Sequence, residues 1–177
     1  MKSRRVVYLA LFTVISILLT RLGSIRIAIF GVEGVRIGIG SLGIYMAAVS
    51  FGPLDGAIVG AIADLIGYWI NPMGPYMPHF TITSALRGLI AGLVFFYIFK
   101  RKWSFRNGLI TIGIPKVAVG LLLVPYFIHH LFKAPFMALF VPRIIALPIT
   151  LIMMVSILEV LNRYVPFTVM MEGRRKA

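Results

Sequence analysis

Long apolar stretches run through almost the whole chain and limit what it can fold into. Six can be drawn, at about residues 6–22, 37–51, 54–71, 81–99, 107–132 and 134–162. A water-soluble domain contains roughly 45–50% apolar and about 25% charged residues, whereas 60% of this chain is hydrophobic and 13% is charged. One water-facing core cannot bury that excess. The sequence therefore predicts an all-α integral membrane protein, a bundle of six transmembrane helices in a single domain, 1–177.

The apolar stretches differ in length, which predicts irregular helices. A full crossing of the ~30 Å hydrocarbon core takes about 20 residues, so the second and third stretches are short. The last two are longer than a straight crossing needs and are expected to tilt or bend. Proline residues that would allow bends are Pro115, Pro125, Pro142 and Pro148.

The distribution of lysine and arginine predicts that both termini are cytoplasmic. Basic residues concentrate on the inner side of membrane proteins, and a chain of six spans with its N-terminus inside puts most of them there. The inner set is Lys2, Arg4, Arg5, Lys100, Arg101, Lys102, Arg106, Arg163, Arg174, Arg175 and Lys176. Topology therefore explains the net charge of +13 better than nucleic-acid binding does.

Two segments on the predicted outer side are unusual. The segment 23–36, "GSIRIAIFGVEGVR", is too long for a tight turn and carries arginines on the disfavoured side. The segment 71–80, "NPMGPYMPHF", has no acidic or basic charge but contains three prolines and two aromatic residues. Rigid segments of this kind favour a lid over the helix bundle rather than a flexible linker.

Three cations lie within predicted spans: Arg87, Lys116 and Arg143. A charge at the centre of a membrane helix costs about 2.5–3.5 kcal/mol on insertion scales, so such residues usually face a partner or a cavity. Internal ion pairing is the alternative, but the cations outnumber the carboxylates available for it, which are Asp64 first and then Asp55 or Glu159. The excess of cations predicts that at least one contacts an anionic ligand.

Small residues recur every fourth position in the third and fourth stretches. Close approach of two helix backbones in lipid needs such residues, because a larger side chain would hold the helices apart. The face serves either packing within the protein's own bundle or docking to a partner membrane protein. Its members are Gly52, Gly56, Gly60 and Asp64, followed by Gly88 and Gly92.

The sequence offers little for catalysis or metal binding. It has no cysteine, and the adjacent His129 and His130 point about 100° apart on a helix, so no metal site is expected. His129, with Tyr126, is expected to line a pocket instead. The nucleophile motif G-x-S-x-G and the zinc-protease motif H-E-x-x-H do not occur. The ATP-binding P-loop motif G-x-x-x-x-G-K-[ST] is also absent, so another chain must supply any ATP-driven step. An intramembrane enzyme acting on a lipid phosphate, with Asp64 or a histidine as the base, is the alternative class.

Two consecutive motifs carry a family resemblance. The stretch "FGPLDGAIVGAIADLIG" (51–67) followed by "GPYMPHFTITSALRGLIAG" (74–92) resembles the substrate-binding S components of energy-coupling factor (ECF) vitamin transporters. The second is similar to the pattern G-P-Y-F-P-G-F-T-L-S-A-x-L-x-G of the folate-specific members. Met77 and His79 stand where that pattern has Phe and Gly. The matching positions are Gly74, Pro75, Tyr76, Pro78, Phe80, Thr81, Ser84, Ala85, Leu86 and Gly88.

The resemblance implies a fold, partners and a location. It implies a protein of the prokaryotic plasma membrane that has no cofactor and no catalytic activity. It also implies a pocket on the outer side, built from the loop after the first helix and from the outer parts of helices four to six. It implies an integral membrane coupling subunit and two cytoplasmic ATPase subunits as partners, with the bound vitamin carried inward as the chain topples in the lipid. Ala10 on the first helix is the expected contact with the coupling subunit, although Val14 departs from the usual small residue.

Folate is the ligand that the resemblance implies, and its chemistry suits the residues available. Folate joins a flat pterin and an aminobenzoate to a glutamate with two carboxylates, and arginine binds carboxylates through paired hydrogen bonds. The same architecture holding a pyrimidine or deazapurine precursor remains the alternative. The predicted binding residues are Arg26, Arg36, Arg87 (the first choice) and Arg143 for charge, Tyr76, Phe80 and Tyr126 for the rings, and His79, Thr83 and His129 for hydrogen bonds.

Overall fold

The computed structural model describes residues 2–21, 24–29, 32–70 and 76–164, with the side chains of residues 2, 3, 21–37 and 132 left aside. Its helices are α1 (Lys2–Arg21), α2 (Leu42–Phe51), α3 (Pro53–Ile70), α4 (Pro78–Leu93), α5 (Phe105–Pro115), α6 (Val124–Phe132) and α7 (Phe136–Tyr164). Two strands, β1 (Ser24–Ile29) and β2 (Val32–Gly38), separate α1 from α2. Two π-helical segments, Val94–Ile98 and Lys116–Leu123, continue α4 and connect α5 to α6.

The predicted class of a helical membrane bundle is confirmed. Because the π-helical segments join their neighbours end to end, the described chain forms six helical segments at the places of the six apolar stretches. Four of them are long and apolar enough to cross a membrane: Pro53–Ile70, Pro78–Ile98, Phe105–Leu131 and Phe136–Tyr164. The second stretch, expected to be short, forms only the 10-residue helix α2.

Helix α2 lies in the centre of the bundle. All ten of its residues are buried, as expected for a helix that is apolar on every side. Tyr45 is its largest fully buried side chain. The helix ends at Gly52, whose φ of 117° is a conformation that side-chain-bearing residues rarely adopt. Pro53 follows as the first residue of α3, so Gly52 and Pro53 together make the sharp turn between the two helices.

Helices α3 and α4 pack with their backbones in close contact, and the small-residue face lies in that contact. A Cβ added at Gly88 would overlap the carbonyl group of Gly56, and one added at Gly60 would overlap the carbonyl of Ser84. Gly92 meets Pro53 in the same way. The structure therefore uses this glycine face inside the bundle, the first of the two uses that the sequence left open.

The long fifth segment departs from α-helical geometry where proline predicts it. Pro115 ends α5, and the π-helical segment begins at Lys116. Proline has no backbone N–H and its ring displaces the preceding turn, which disturbs the regular hydrogen-bond ladder. Arg143 from α7 donates from Nη1 to the carbonyl oxygen of Gly120 in this segment, at 3.0 Å. α7 runs without a break through Pro142 and Pro148.

The segment between α1 and α2 contains a β-hairpin, which the sequence analysis treated only as a long loop. β1 pairs with β2 in antiparallel register, with Arg26 opposite Arg36 and an irregularity between Ile27 and Ala28. β2 lies beside α7. The hairpin adds one small sheet to an otherwise helical bundle. We call the end of the bundle that holds it the hairpin end; α1 and α3 end there, and α2 and α4 begin there.

The opposite end of the bundle holds two polar contacts that cross between helices. Arg5 on α1 forms an ion pair with the buried Asp55 at the start of α3, with Nη2 and Oδ1 2.5 Å apart. The indole N–H of Trp103 donates to a carboxylate oxygen of Glu159 on α7 at 2.6 Å. These contacts hold α1 to α3 and the α4–α5 connection to α7.

Candidate binding site

A cavity opens between the first four helices at the hairpin end. It encloses about 420 Å³, counting its open mouth. Its lining is mostly small and polar, with one cation and one carboxylate. The lining residues are Ser16, Ile17 and Thr20 of α1, Gly40, Ser41 and Ile44 at the start of α2, Gly60, Ala63, Asp64 and Gly67 of α3, and Ser84 and Arg87 of α4.

Small residues bring α1 and the start of α2 together along one wall of this cavity. Ser16 is buried and donates its hydroxyl to the carbonyl of Gly40 at 2.7 Å. A Cβ added at Gly40 would overlap Thr20, so only glycine permits this approach. The chain leaving the hairpin is thereby fixed against the last turns of α1.

Arg87 is the one cation among the residues that line the cavity. It is half-buried, on the third turn of α4. Only three carboxylates have described side chains, and two of them, Asp55 and Glu159, make their contacts at the opposite end. Asp64 is the third and lines the same cavity as Arg87. The cavity therefore joins a guanidinium with a carboxylate at a depth where either charge needs a polar partner.

Asp64 accepts hydrogen bonds from the first turns of α4. The hydroxyl of Thr81 donates to its Oδ2 at 2.8 Å, and that of Ser84 lies 3.4 Å from its Oδ1. The phenol oxygen of Tyr76 is 2.9 Å from the Thr81 hydroxyl. The Tyr76 ring also lies 5.2 Å from that of Tyr68 on α3. The sequence analysis considered Asp64 for helix packing, for internal ion pairing and as a base, but did not identify its hydrogen bonds to α4.

Aromatic rings gather at the hairpin end between α4 and α6. The ring of His79 is 5.0 Å from that of Phe127, and Tyr126 stacks on His130 with an interplanar angle of 8°. Nδ1 of His79 is buried and has no hydrogen-bond partner among the described residues. Phe80 packs against the smaller of the two apolar clusters in the bundle. These ring contacts lie near the start of α4.

Several predicted binding residues make contacts within the protein. The hydroxyl of Thr83 is buried and donates to the carbonyl of Phe80 at 2.8 Å. Nδ1 of His129 lies 2.7 Å from the carbonyl of Ala134, and Arg143 contacts the π-helical segment as described above. Lys116, the deepest cation, donates to the hydroxyl of Thr150 at 2.9 Å. These contacts keep each of the groups in place without a ligand.

The expected position of the binding pocket remains a prediction, because the side chains of the loop after the first helix lie outside the described part of the chain. The described cavity is bounded by α1, α2, α3 and α4, whereas the resemblance placed the pocket against the fourth to sixth helices. Of the ten predicted binding residues, only Arg87 lines it. Tyr76, His79, Phe80 and Tyr126 lie at the same end of the bundle. The side chains of Arg26 and Arg36, and residues 71–75 of the predicted lid, are outside the described part of the chain.

The predicted packing residues are placed more clearly. Gly56, Gly60, Gly88 and Gly92 lie between α3 and α4 as described, and Gly52 forms the turn before α3. Ala10 is exposed on α1. Val14, four residues later, is 51% exposed, so this face of α1 meets lipid or a partner rather than the rest of the bundle.

The fold and the cavity together define a class of protein. Two of the four helices that line the polar hollow, α3 and α4, are long and apolar enough to span a membrane, and the hollow opens at one end of the bundle and contains one guanidinium. Within residues 2–21, 24–29, 32–70 and 76–164 no group of three metal-binding side chains occurs. The arrangement suits non-covalent binding of a small polar molecule. The class is a multi-pass membrane protein with a small-molecule pocket among its helices.

Comparison with known proteins gives the family. A family model described as "ECF-type riboflavin transporter, S component" matches residues 1–165. The "Folate transporter FolT" of Clostridium novyi (strain NT) is 34% identical over 176 residues, covering 94% of this chain and 98% of that protein. The chain therefore belongs to the S components of ECF-type transporters, as its two motifs predicted. These are transporter subunits rather than enzymes.

Solved structures show the same fold at lower sequence identity. The crystal structure of FolT bound with folic acid is 20% identical, with a TM-score of 0.75 over 90% of this chain and 92% of that one. A bacterial ECF transporter S component is 20% identical, with a TM-score of 0.69 over 94% and 99% of the two chains. The S component for biotin is 21% identical, with a TM-score of 0.67 over 92% of each chain. These matches show that the bundle is the S-component fold.

Proposed function

We propose that this S component binds folate at the hairpin end and delivers it inward with a membrane coupling subunit and two cytoplasmic ATPase subunits. The hairpin end faces outward and both termini face the cytoplasm of a prokaryotic cell. The chain itself performs no chemistry. It supplies the binding site, and the ATPases supply the energy.

The position of Arg87 carries the proposal. This guanidinium is half-buried on the wall of a cavity, inside a segment that is long and apolar enough to span a membrane. A cation is expensive to keep there unless a polar partner or ligand compensates it. A ligand that ends in carboxylates offsets the free-energy cost of the buried charge through charge-assisted hydrogen bonds, which arginine makes in pairs. Folate has two carboxylates on its glutamate and a flat pterin for the neighbouring aromatic rings.

The sequence relationship supports folate in particular. The curated relative, which shares 34% of its residues over nearly the whole chain, is described as a folate transporter. The motif at 74–92 is the part of the sequence that resembles folate-specific members. Phe80 from this motif lies on α4 with Arg87, and Tyr76 lies two residues before the helix begins. Ring binding and anion binding would therefore come from α4 and the residues just before it.

Riboflavin is the second candidate, because the matching family model is described as a riboflavin transporter component. The two vitamins both contain flat fused rings, but they differ in charge. Riboflavin carries a neutral ribityl chain where folate carries a dianionic glutamate. Riboflavin therefore offers Arg87 no carboxylate of its own. The charge of the ligand is thus the property that separates the candidates.

Titration of the purified chain in detergent tests the proposal. Folate, pteroate (folate without its glutamate) and riboflavin would each be titrated by calorimetry without nucleotide. We expect folate to bind most tightly and pteroate at least ten-fold more weakly, which corresponds to about 1.4 kcal/mol for the missing charged contacts. Riboflavin binding with no folate binding would establish the second candidate. Equal affinity for folate and pteroate would show that the glutamate carboxylates do not contribute to binding.

The orientation can be tested separately, because the natural chain contains no cysteine. Single substitutions Ser104→Cys and Lys133→Cys introduce thiols at exposed positions on opposite sides of the proposed topology. A membrane-impermeant maleimide added to intact cells should label Lys133→Cys and should label Ser104→Cys only after the membrane is opened. The reverse pattern would invert the orientation and place the cavity on the cytoplasmic side.

A further inference from the structure

Asp64 is the centre of a polar chain that the proposed function does not yet explain. Its two carboxylate oxygens face the hydroxyls of Thr81 and Ser84, from α3 across to α4. Glycine and alanine fill most of the rest of this helix contact, where Gly60 approaches the Ser84 carbonyl. A carboxylate in such a setting is costly unless it is well hydrogen-bonded. Helix packing alone would be served better by another small residue.

The directions of these hydrogen bonds follow from the number of protons available. Thr81 has one hydroxyl proton, and it is donated to Asp64 at 2.8 Å. The 2.9 Å contact between Tyr76 and Thr81 must therefore have the phenol as donor. A row of hydrogen bonds then runs from Tyr76 through Thr81 to the carboxylate. Bonds that end on a charged acceptor are the stronger kind, and bonds in a row reinforce one another.

This row holds the face of α4 on which Arg87 lies. Thr81, Ser84 and Arg87 follow one another at intervals of three residues, so Ser84 is a neighbour of both Thr81 and Arg87 on the surface of the helix. The first two contact Asp64, and both Asp64 and Arg87 line the cavity. Tyr76 is held further by its ring contact with Tyr68 at 5.2 Å. Whatever fixes the rotation of the first turns of α4 also fixes where the guanidinium points.

We propose that Asp64 is a positioning residue of the binding site. It anchors the start of α4 to α3 through Thr81 and Tyr76, and so holds Arg87 on the cavity wall in the orientation that the ligand needs. The proposal rests on the proposed function, since the ligand that it serves is the one bound through Arg87. It adds a specific residue whose role is neither ligand contact nor simple helix packing.

Two substitutions separate anchoring from charge. Asp64→Asn removes the charge and keeps the shape and an acceptor oxygen. Thr81→Val removes the hydroxyl that joins Tyr76 to Asp64 and leaves the charge in place. The matched control is Thr111→Val, at a buried threonine of α5 whose hydroxyl has no partner in the described part of the chain. The double variant Asp64→Asn with Thr81→Val completes the cycle.

The first measurement needs no ligand. Hydrogen–deuterium exchange of the ligand-free protein reports how firmly each helix end is held. We expect the backbone amides near the start of α4, at 80–87, to exchange at least ten-fold faster in Asp64→Asn and in Thr81→Val. The amides of α5 and α7 should not change, and Thr111→Val should match the wild type throughout. Unchanged exchange at 80–87 in both variants would overturn the anchoring role.

The second measurement is the dissociation constant for folate. We expect it to rise at least ten-fold in Thr81→Val and in Asp64→Asn, and the double variant to be no worse than Asp64→Asn alone, because the two residues act through one bond. If folate affinity fell in Asp64→Asn but not in Thr81→Val, Asp64 would act by its charge instead of by anchoring α4. If the losses of affinity in the two single variants added up in the double variant, the two residues would act independently. Either result would overturn the proposal. If the wild type fails to bind folate, the proposed function fails, while the exchange measurement still decides whether Asp64 anchors α4.

Discussion

Replacing Gly88 by alanine tests the helix contact on which the cavity depends. The Cβ of an alanine at this position would overlap the carbonyl carbon and oxygen of Gly56. Both atoms belong to a helix backbone, so no side chain can rotate away, and α3 and α4 must separate. Overpacking of this kind costs about 1–3 kcal/mol, and a rigid obstacle favours the upper half of that range. Alanine also regains about 1 kcal/mol over glycine in a helix. The net expectation is a loss of about 1–2 kcal/mol.

Gly120→Ala is the matched control for Gly88→Ala. The substitution is chemically identical and also lies within a membrane-spanning segment, but a Cβ added at Gly120 meets no other atom within 4 Å. Only the gain of about 1 kcal/mol or less from the glycine replacement should remain. The expected separation between the two variants is therefore about 1–3 kcal/mol.

Thermal unfolding of the ligand-free protein in detergent measures this separation. For chains of about 150–250 residues, 1 kcal/mol shifts the melting temperature by about 2–4 °C. Gly88→Ala should melt about 2–8 °C below the wild type and Gly120→Ala at or slightly above it. If Gly88→Ala melted at the temperature of Gly120→Ala, the helices would not be in backbone contact at this position, and the reasoning about the glycine face would be refuted.

Three further predictions concern the site and the opposite end of the bundle. Arg87→Ala should raise the dissociation constant for folate at least ten-fold, as expected for a lost charge-assisted hydrogen bond. Arg163 is exposed on the surface, and Arg163→Ala should leave the constant unchanged. If calorimetry gave equal affinities for the wild type and Arg87→Ala, Arg87 would be structural. Arg5→Ala should lower the stability by about 1–2 kcal/mol, because it leaves the buried Asp55 without its ion pair. Thermal unfolding should show that adding Asp55→Asn restores part of this loss. A double variant less stable than Arg5→Ala alone would contradict the prediction. Folate at about 100 times its dissociation constant should stabilise the wild type by about 2.7 kcal/mol, so the melting temperature should rise with folate and stay unchanged with an equal concentration of any compound that the site rejects.

The helices could be predicted from the sequence because membrane burial leaves a strong signal. Long apolar stretches mark α3, α4, α5 to α6 and α7, and Pro115 marks the place where the fifth segment changes to π-helical geometry. The four-residue spacing of the glycines predicted a face for close helix packing, and the structure places that face between α3 and α4. These features depend on neighbours in sequence, so one sequence is enough to find them.

The hairpin shows where the apolar signal was misleading. The run of Ile25, Ile27 and Ile29 alternates with other residues, and that period of two is typical of a strand. The sequence analysis placed these residues in a long loop, 23–36, and began the second span at residue 37. The structure continues β2 to Gly38 and starts α2 at Leu42. Periodicity rather than hydropathy was the signal that could have identified the hairpin.

The cavity could be predicted only in part. Arg87 was identifiable because a cation within a span needs a reason to be there. The walls from α1 and α2 are small neutral residues such as Ser16 and Ser41, which carry no comparable signal. Asp64 and Thr81 are 17 residues apart on different helices, and only the packing of α3 on α4 brings them within 2.8 Å. Long-range contacts of this kind depend on how the helices are rotated, which a single sequence does not specify.

Identification of the small molecule that the purified chain retains tests the central claim most directly. The protein would be incubated with equimolar folate and riboflavin, freed of unbound vitamin, denatured, and its released ligand measured by mass spectrometry. A folate site with Arg87 on its wall should release folate in a ratio approaching one per chain and little riboflavin. Release of riboflavin in that ratio, or of neither vitamin, would contradict the proposal that this S component carries a folate dianion.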